Sequence, residues 1–203
     1  MASESQLNRL AKVVRQARDD LSRLGLEWAL VGGLAVAVRA EPRFTRDIDL
    51  AVAVADDREA ERLIFRLQGL GYQVIGSLEQ EVTGRLATIR LTPPLETTAT
   101  VILDLLFASS GIEREVVANA TAVEVFPGIV LPVASTGDLI ALKLLARDDR
   151  HRPQDSDDLR ALLREATDAD IERVRESVKL LTQRGYHRDR DLVTDLERFL
   201  HQS

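Results

Sequence analysis

The stretch ALVGGLAVAVRAEPRFTRDIDLAV, residues Ala29 to Val52, decides how the rest of the chain is read. An apolar run closes on Gly32 and Gly33, and a second apolar run carries Asp47 and Asp49. The pattern predicts a strand ending in a glycine turn (EWALVGG), a short helix (LAVAVRAE) and a second strand (RDIDLAVAV). Strand residues two apart share a face, so Asp47 and Asp49 point together while Ile48 and Leu50 point into packing. Their Cβ atoms lie roughly 6–7 Å apart. At an effective dielectric near 20, two such charges repel by roughly 2–3 kcal/mol. Either the pair opens a solvated edge strand, or a divalent cation between the two converts repulsion into attraction. The chain has no cysteine and no histidine near this stretch. Hard oxygen donors of this kind suit Mg2+ or Mn2+ rather than zinc.

Two further features weigh on that choice. Gly32 and Gly33 follow a strand and precede a helix, where a bare backbone admits a ligand closely and helix-start amides favour phosphate. The spacing is not the dinucleotide fingerprint, and glycines also simply make tight turns. The second feature is Asp104, inside the apolar strand TVILDLLF. A carboxylate there is expensive unless an arginine or a metal satisfies it. On a strand adjacent to Asp47 and Asp49 it would complete three acids. Such a set can hold metal ions for phosphoryl chemistry, with the third acid as ligand or proton acceptor.

The rest of the chain is legible as alternating elements. Leu7, Leu10, Val14, Ala17, Leu21 and Leu24 recur at helical spacing. DDREAERLIFRLQGLG reads as a helix stopped at Gly71, and YQVIG, RLATIRLT and TATVILDLLFA as strands. GIEREVVANA is a weaker helix, and TAVEVF and IVLPVA flank a Pro127-Gly128 turn as a hairpin. After Pro132 the pattern is helical: STGDLIALKLLARDD with Ser135 or Thr136 as cap, then DSDDLRALLREA, then two more amphipathic segments. The expected fold class is α+β: a sheet-containing core over residues 1–133 and a helical lobe over 134–203.

Composition narrows the function. The 203 residues are 45% hydrophobic and 30% charged, an ordinary globular balance, with a net charge of −6. A chain of this charge contacts nucleic acid only through a local basic patch. No signal-peptide core and no membrane-length apolar run are visible, so a cytoplasmic protein without membrane attachment is expected. Lysine occurs only at Lys12, Lys143 and Lys179. Lys143 sits in LIALKLLAR, where it either snorkels to solvent or presents a point charge to phosphate.

Taken together, GG after a strand, TRDIDL downstream and a later strand aspartate resemble the polymerase-β-type nucleotidyltransferase superfamily. VGGLAVAVRAEPRFTRDIDL, then DLIALKLLAR, then RPQDSDDLRALL, are similar to its AbiEii/AbiGii branch, which includes the MenT toxins of bacterial toxin–antitoxin systems. The resemblance covers roughly residues 25–165. It implies a polymerase-β-like core with a mixed sheet and flanking helices, an NTP substrate, Mg2+ or Mn2+, and transfer of a nucleotide to a hydroxyl with release of pyrophosphate. By motif, Gly32 and Gly33 would cradle phosphate, Asp47, Asp49 and Asp104 would bind metal and serve catalysis, and Lys143 would contact the triphosphate. Thr45 and Arg46, within TRDIDL, fall in the expected substrate site.

Asp155 and Asp158 match the family's acidic pair, although acids in a first helical turn also stabilise the helix on their own. Two departures stand out: Gly33 replaces a frequent serine, and Gln154 replaces a frequent basic residue. Arg43, Arg46, Arg147, Arg150 and Arg152 could border the site and receive an RNA backbone. His151, His187 and His201 are given no role. The resemblance points to a toxin that modifies an RNA acceptor, most simply a tRNA 3′ end, and that has a cognate antitoxin. The alternatives are an antibiotic nucleotidyltransferase acting on an aminoglycoside or lincosamide, protein nucleotidylation, and an inactive binding module.

Overall fold

The computed structural model describes residues 4–43, 45–81, 83–94, 101–148 and 153–201. The chain opens with α1 (Glu4–Arg23), β1 (Trp28–Val31), α2 (Gly32–Arg39), β2 (Asp47–Val52) and α3 (Asp57–Gly69). Next come β3 (Gln73–Glu79), β4 (Leu86–Thr92), β5 (Ile102–Leu106), α4 (Glu113–Ala118), β6 (Thr121–Phe126) and β7 (Ile129–Val133). Four helices complete it: α5 (Thr136–Ala146), α6 (Pro153–Glu165), α7 (Asp168–Gln183) and α8 (Leu192–Leu200). No described helix is long and apolar enough to cross a membrane.

The strands form one mixed sheet in the order β3-β4-β5-β2-β1-β7-β6. β2 lies near its centre, antiparallel to β1 and parallel to β5. Position follows from composition. All four residues of β1 are buried, and Leu103 and Leu105 of β5 are buried as well, as strands covered on both faces require. At the edge, β3 carries exposed Val74, Ile75 and Leu78.

The expected elements are present, with shifted limits. α2 starts on Gly32 itself, so the diglycine is the helix's first turn rather than a loop before it. β3 runs past YQVIG to Glu79. β5 covers only Ile102–Leu106, and residues 98–100 of the expected strand lie outside the described residues.

α5 starts three residues after β7. Ser135 caps it by accepting the Asp138 amide. Its apolar residues leave little polar face, and it packs among α2, α6, α7 and α8. One continuous apolar cluster joins the sheet to these helices, from Leu10 through Leu50 and Leu144 to Phe199. α2 packs on β1 and β2 and also on α5 and α6, and so ties those two helices to the part of the sheet where the acids stand.

Candidate active site

Strand register assembles the site. Asp49 is the partner of Asp104 across the parallel β2/β5 pair, and of Val31 across β1/β2. Across β5/β4, Asp104 faces Arg90, and Arg90 in turn faces Gly76 of β3. One row therefore crosses the sheet: Val31, Asp49, Asp104, Arg90, Gly76. Register partners share a face, so Asp104 stands beside Asp49 at one strand spacing, about 4.8 Å between backbones. Asp47 lies on the same face two residues before Asp49.

The diglycine meets this row directly. Gly32 follows Val31 with φ at +64°, and a Cβ on it would fall 1.9 Å from Asp49 Oδ2. The Gly33 amide donates to the Asp49 carboxylate. The amide that opens α2 thus takes an acid from the neighbouring strand instead of a conventional cap, and no side-chain cap stands at Val31. Burial first, then the charges of Asp104 and Asp47, push Asp49 up to about 6, while Lys143 and the Gly33 amide pull the other way. Like charges raising a carboxylate are the mark of a site short of positive charge.

The helical side supplies that charge in a fixed frame. Lys143 does not snorkel. Its side chain is 12% exposed, and Nζ lies 2.7 Å from Asp155 Oδ1 and 2.8 Å from Asp158 Oδ2. Asp158 also receives Arg43 through Nε at 2.8 Å and Nη2 at 2.9 Å. Arg43 reaches across Gly33, where a Cβ would lie 2.4 Å from its Nη2. Asp155 and Asp158 do more than cap α6: they hold Lys143 and Arg43 together where α2, α5 and α6 meet.

Other expected residues stand further out. Thr45 donates from Oγ1 to the Asp47 carbonyl at 3.3 Å, shaping the entrance to β2. Arg46 is exposed beside it. Arg147, at the end of α5, packs its guanidinium 5.0 Å over the Phe199 ring, with Asp195 at 3.7 Å. Those contacts anchor α8. Arg150 and Arg152 lie outside the described residues.

One residue was not named by the sequence reading. Arg90 holds Asp104 in a two-pronged ion pair, Nε to Oδ1 at 2.9 Å and Nη2 to Oδ2 at 2.7 Å. Asp104 strengthens the proton on Arg90 first, and Asp47 and Asp49 add to it. An arginine partner for Asp104 was foreseeable, but its identity depends on which strand pairs with β5. The alternation in LATIRLT was the available signal, because it puts Thr88 and Arg90 on one face.

The donor set fits a hard divalent cation: carboxylate oxygens from adjacent strands, already crowded enough to raise Asp49. Among the described residues no three acidic, histidine or cysteine side chains converge closely enough to hold an ion as they stand. Both Asp104 oxygens are engaged by Arg90.

The family to which the sequence is matched makes this chain a nucleotidyltransferase enzyme. The model of the AbiEii family, described as nucleotidyl transferase AbiEii toxin of type IV toxin–antitoxin systems, matches residues 17–202, and the chain belongs to that family. Solved structures share the fold at low identity. The solution structure of the antibiotic-resistance factor ANT(2'')-Ia is 18% identical, with a TM-score of 0.56 over 97% of this chain and 99% of that one. The same factor in complex with adenylyl-2''-tobramycin is 19% identical, with a TM-score of 0.51 over 87% and 97%. An antigenic nucleotidyltransferase-like protein from Paracoccidioides brasiliensis is 19% identical, with a TM-score of 0.52 over 98% and 94%. No curated protein matches the sequence.

Proposed function

We propose that this chain transfers a nucleotide from an NTP to a hydroxyl of RNA, most simply a tRNA 3′ end, as a growth-inhibiting toxin. The observation that carries the reading is the register pairing of Asp49 with Asp104 beneath Gly32. Asp47, Asp49 and Asp104 would hold Mg2+ or Mn2+ there. The bound ion supplies Lewis-acid polarisation of the α-phosphoryl group and offsets the charge of departing pyrophosphate.

The chain's own residues orient the reactants. The start of α2 would receive the triphosphate, with the Gly33 amide passing from the Asp49 carboxylate to a phosphate oxygen. Lys143, fixed by Asp155 and Asp158, presents its charge to the same phosphates. The acceptor oxygen attacks the α-phosphorus and forms the new P–O bond. The bond to the β-phosphate bridging oxygen breaks, and pyrophosphate leaves. The hydroxyl proton goes to Asp104, the acid farthest from the diglycine along the row.

RNA is favoured as acceptor because a toxin requires an essential target in the cell that makes it. A second reading comes from a fold neighbour, the resistance factor in complex with adenylyl-2''-tobramycin. The net charge of −6 also suits a cationic acceptor. Incubation with labelled NTP, Mg2+, total RNA and, separately, tobramycin distinguishes the two. Label on RNA together with growth arrest on induction supports the toxin reading. Label on tobramycin alone, with no arrest, supports the drug reading.

A further inference from the structure

We propose that Arg90 is an acceptor-binding residue: released from Asp104 in the working enzyme, its guanidinium holds a phosphate of the RNA acceptor beside the attacking hydroxyl. The inference rests on the nucleotide-transfer reading and deepens it by assigning the acceptor's charge.

The order of the row gives the direction. Gly32, Gly33 and Lys143 lie on the β1 side of Asp49, where the triphosphate belongs. Arg90 lies on the opposite flank, beyond Asp104. A cation there is one strand past the proton acceptor and two strands past Asp49, at about 10 Å by strand spacing. That is the distance of a neighbouring group on the acceptor, not of the transferred phosphoryl.

The two cations also differ in freedom. Lys143 is enclosed by two carboxylates, whereas the Arg90 side chain is 49% exposed. Its outer neighbour in the row is Gly76, where even an added Cβ would stay 3.7 Å from Arg90 Cβ. The flank over β3 is therefore open to a swing of the guanidinium. Thr88 lies on the same face two residues along β4, paired with Leu78, which is 66% exposed. A forked cation on an open flank suits the phosphate of a nucleotide, with an exposed apolar side chain alongside. A cationic antibiotic would meet repulsion from the same guanidinium.

The Arg90–Asp104 pair makes this a competition. While Asp104 is bound to Arg90, each of its oxygens has one lone pair committed and its charge is partly neutralised, so Arg90 competes with a metal, and removing Arg90 eases that competition and at the same time removes an anion contact. The test uses full-length wild type, Arg90→Ala and Arg90→Lys. Titrated with Mn2+ alone, Arg90→Ala should bind about tenfold more tightly than wild type. With Mn2+ present, a fluorescent single-stranded oligoribonucleotide should bind Arg90→Ala about tenfold more weakly, with the salt slope reduced by about 0.7. Arg90→Lys should recover part of that affinity, and KM for the NTP should stay within about twofold. Unchanged RNA affinity and salt slope in Arg90→Ala overturn the inference. Label transfer to tobramycin by a wild type that binds no oligoribonucleotide also overturns it, and leaves nucleotide transfer intact. Arg90-dependent RNA binding with no label transfer to any acceptor sustains the anion site and sinks the transfer reading instead.

Discussion

Asp49 lies so close beneath Gly32 that a single added carbon on the glycine would fall 1.9 Å from the carboxylate oxygen. The backbone there also has φ at +64°, a region L-residues with a side chain rarely adopt. Gly32→Ala is expected to cost more than about 2 kcal/mol in urea unfolding, from strain plus displacement of Asp49. Transfer activity should be lost at temperatures where the variant is still folded. Gly33→Ala meets the end of the Arg43 side chain rather than backbone and has no positive φ, so it should be milder on both measures.

Ionisation of Asp49 sets a pH dependence of known sign. Its carboxyl is raised to about 6 by burial, Asp104 and Asp47, so the folded state holds a proton that the unfolded chain releases near pH 4. Between those values the folded state binds more protons, and stability falls as pH rises from about 4 to about 6. Asp49→Asn should therefore stabilise the metal-free protein by about 1–2 kcal/mol at pH 8, with the difference vanishing near pH 4. Thermal melts across that range check it, and a constant difference would assign the effect to packing.

Lys143 is the cation shared by two buried acids. Lys143→Ala takes from Asp155 and Asp158, 9% and 3% exposed, the ammonium they share, with Arg43 remaining on Asp158, and should cost about 3 kcal/mol. Adding Asp155→Asn should recover part of that loss, because one of the two buried charges that lost the ammonium is removed. If Lys143 also serves the triphosphate, the recovered double variant stays inactive with a raised KM for NTP.

Asp138 ties α5, the helix that carries Lys143, to α7 and to the end of α4. Its Oδ2 accepts Ser135 Oγ at 2.8 Å and Asn119 Nδ2 at 3.2 Å, and its Oδ1 accepts Ser177 Oγ at 2.9 Å. Burial raises its carboxyl despite these bonds. Asp138→Ala should destabilise by about 2–3 kcal/mol, because it strands the buried Ser177 hydroxyl and the half-buried Ser135 hydroxyl and Asn119 amide. Asp138→Asn, which keeps one acceptor oxygen, should cost less in the same denaturant titration.

Much of this was legible in the sequence because local chemistry dictated it. Alternation put Asp47 and Asp49 on one face, and an aspartate within TVILDLLF had to find a partner. Ser135 was readable as a cap since its pattern is local. Long-range pairing was not. Nothing within LATIRLT says that β4 flanks β5 in the register that sets Arg90 opposite Asp104. The joint grip of Arg43 and Lys143 on Asp158 likewise spans residues far apart in sequence. Arg147 illustrates the reverse case: the sequence suggested a border of the site, while its guanidinium stands over Phe199 and near Asp195, both contributed by α8.

The central claim is that the acids on the sheet deliver an α-phosphoryl nucleotide to a hydroxyl. The direct measurement supplies NTP labelled at the α-phosphate or at the γ-phosphate, with Mg2+ and total RNA, to wild type and to Asp49→Asn. The account predicts label on RNA from the α-position only, pyrophosphate released in equal amount, and neither with the variant. Label arriving from the γ-position, or equal α-labelling by Asp49→Asn, would contradict it.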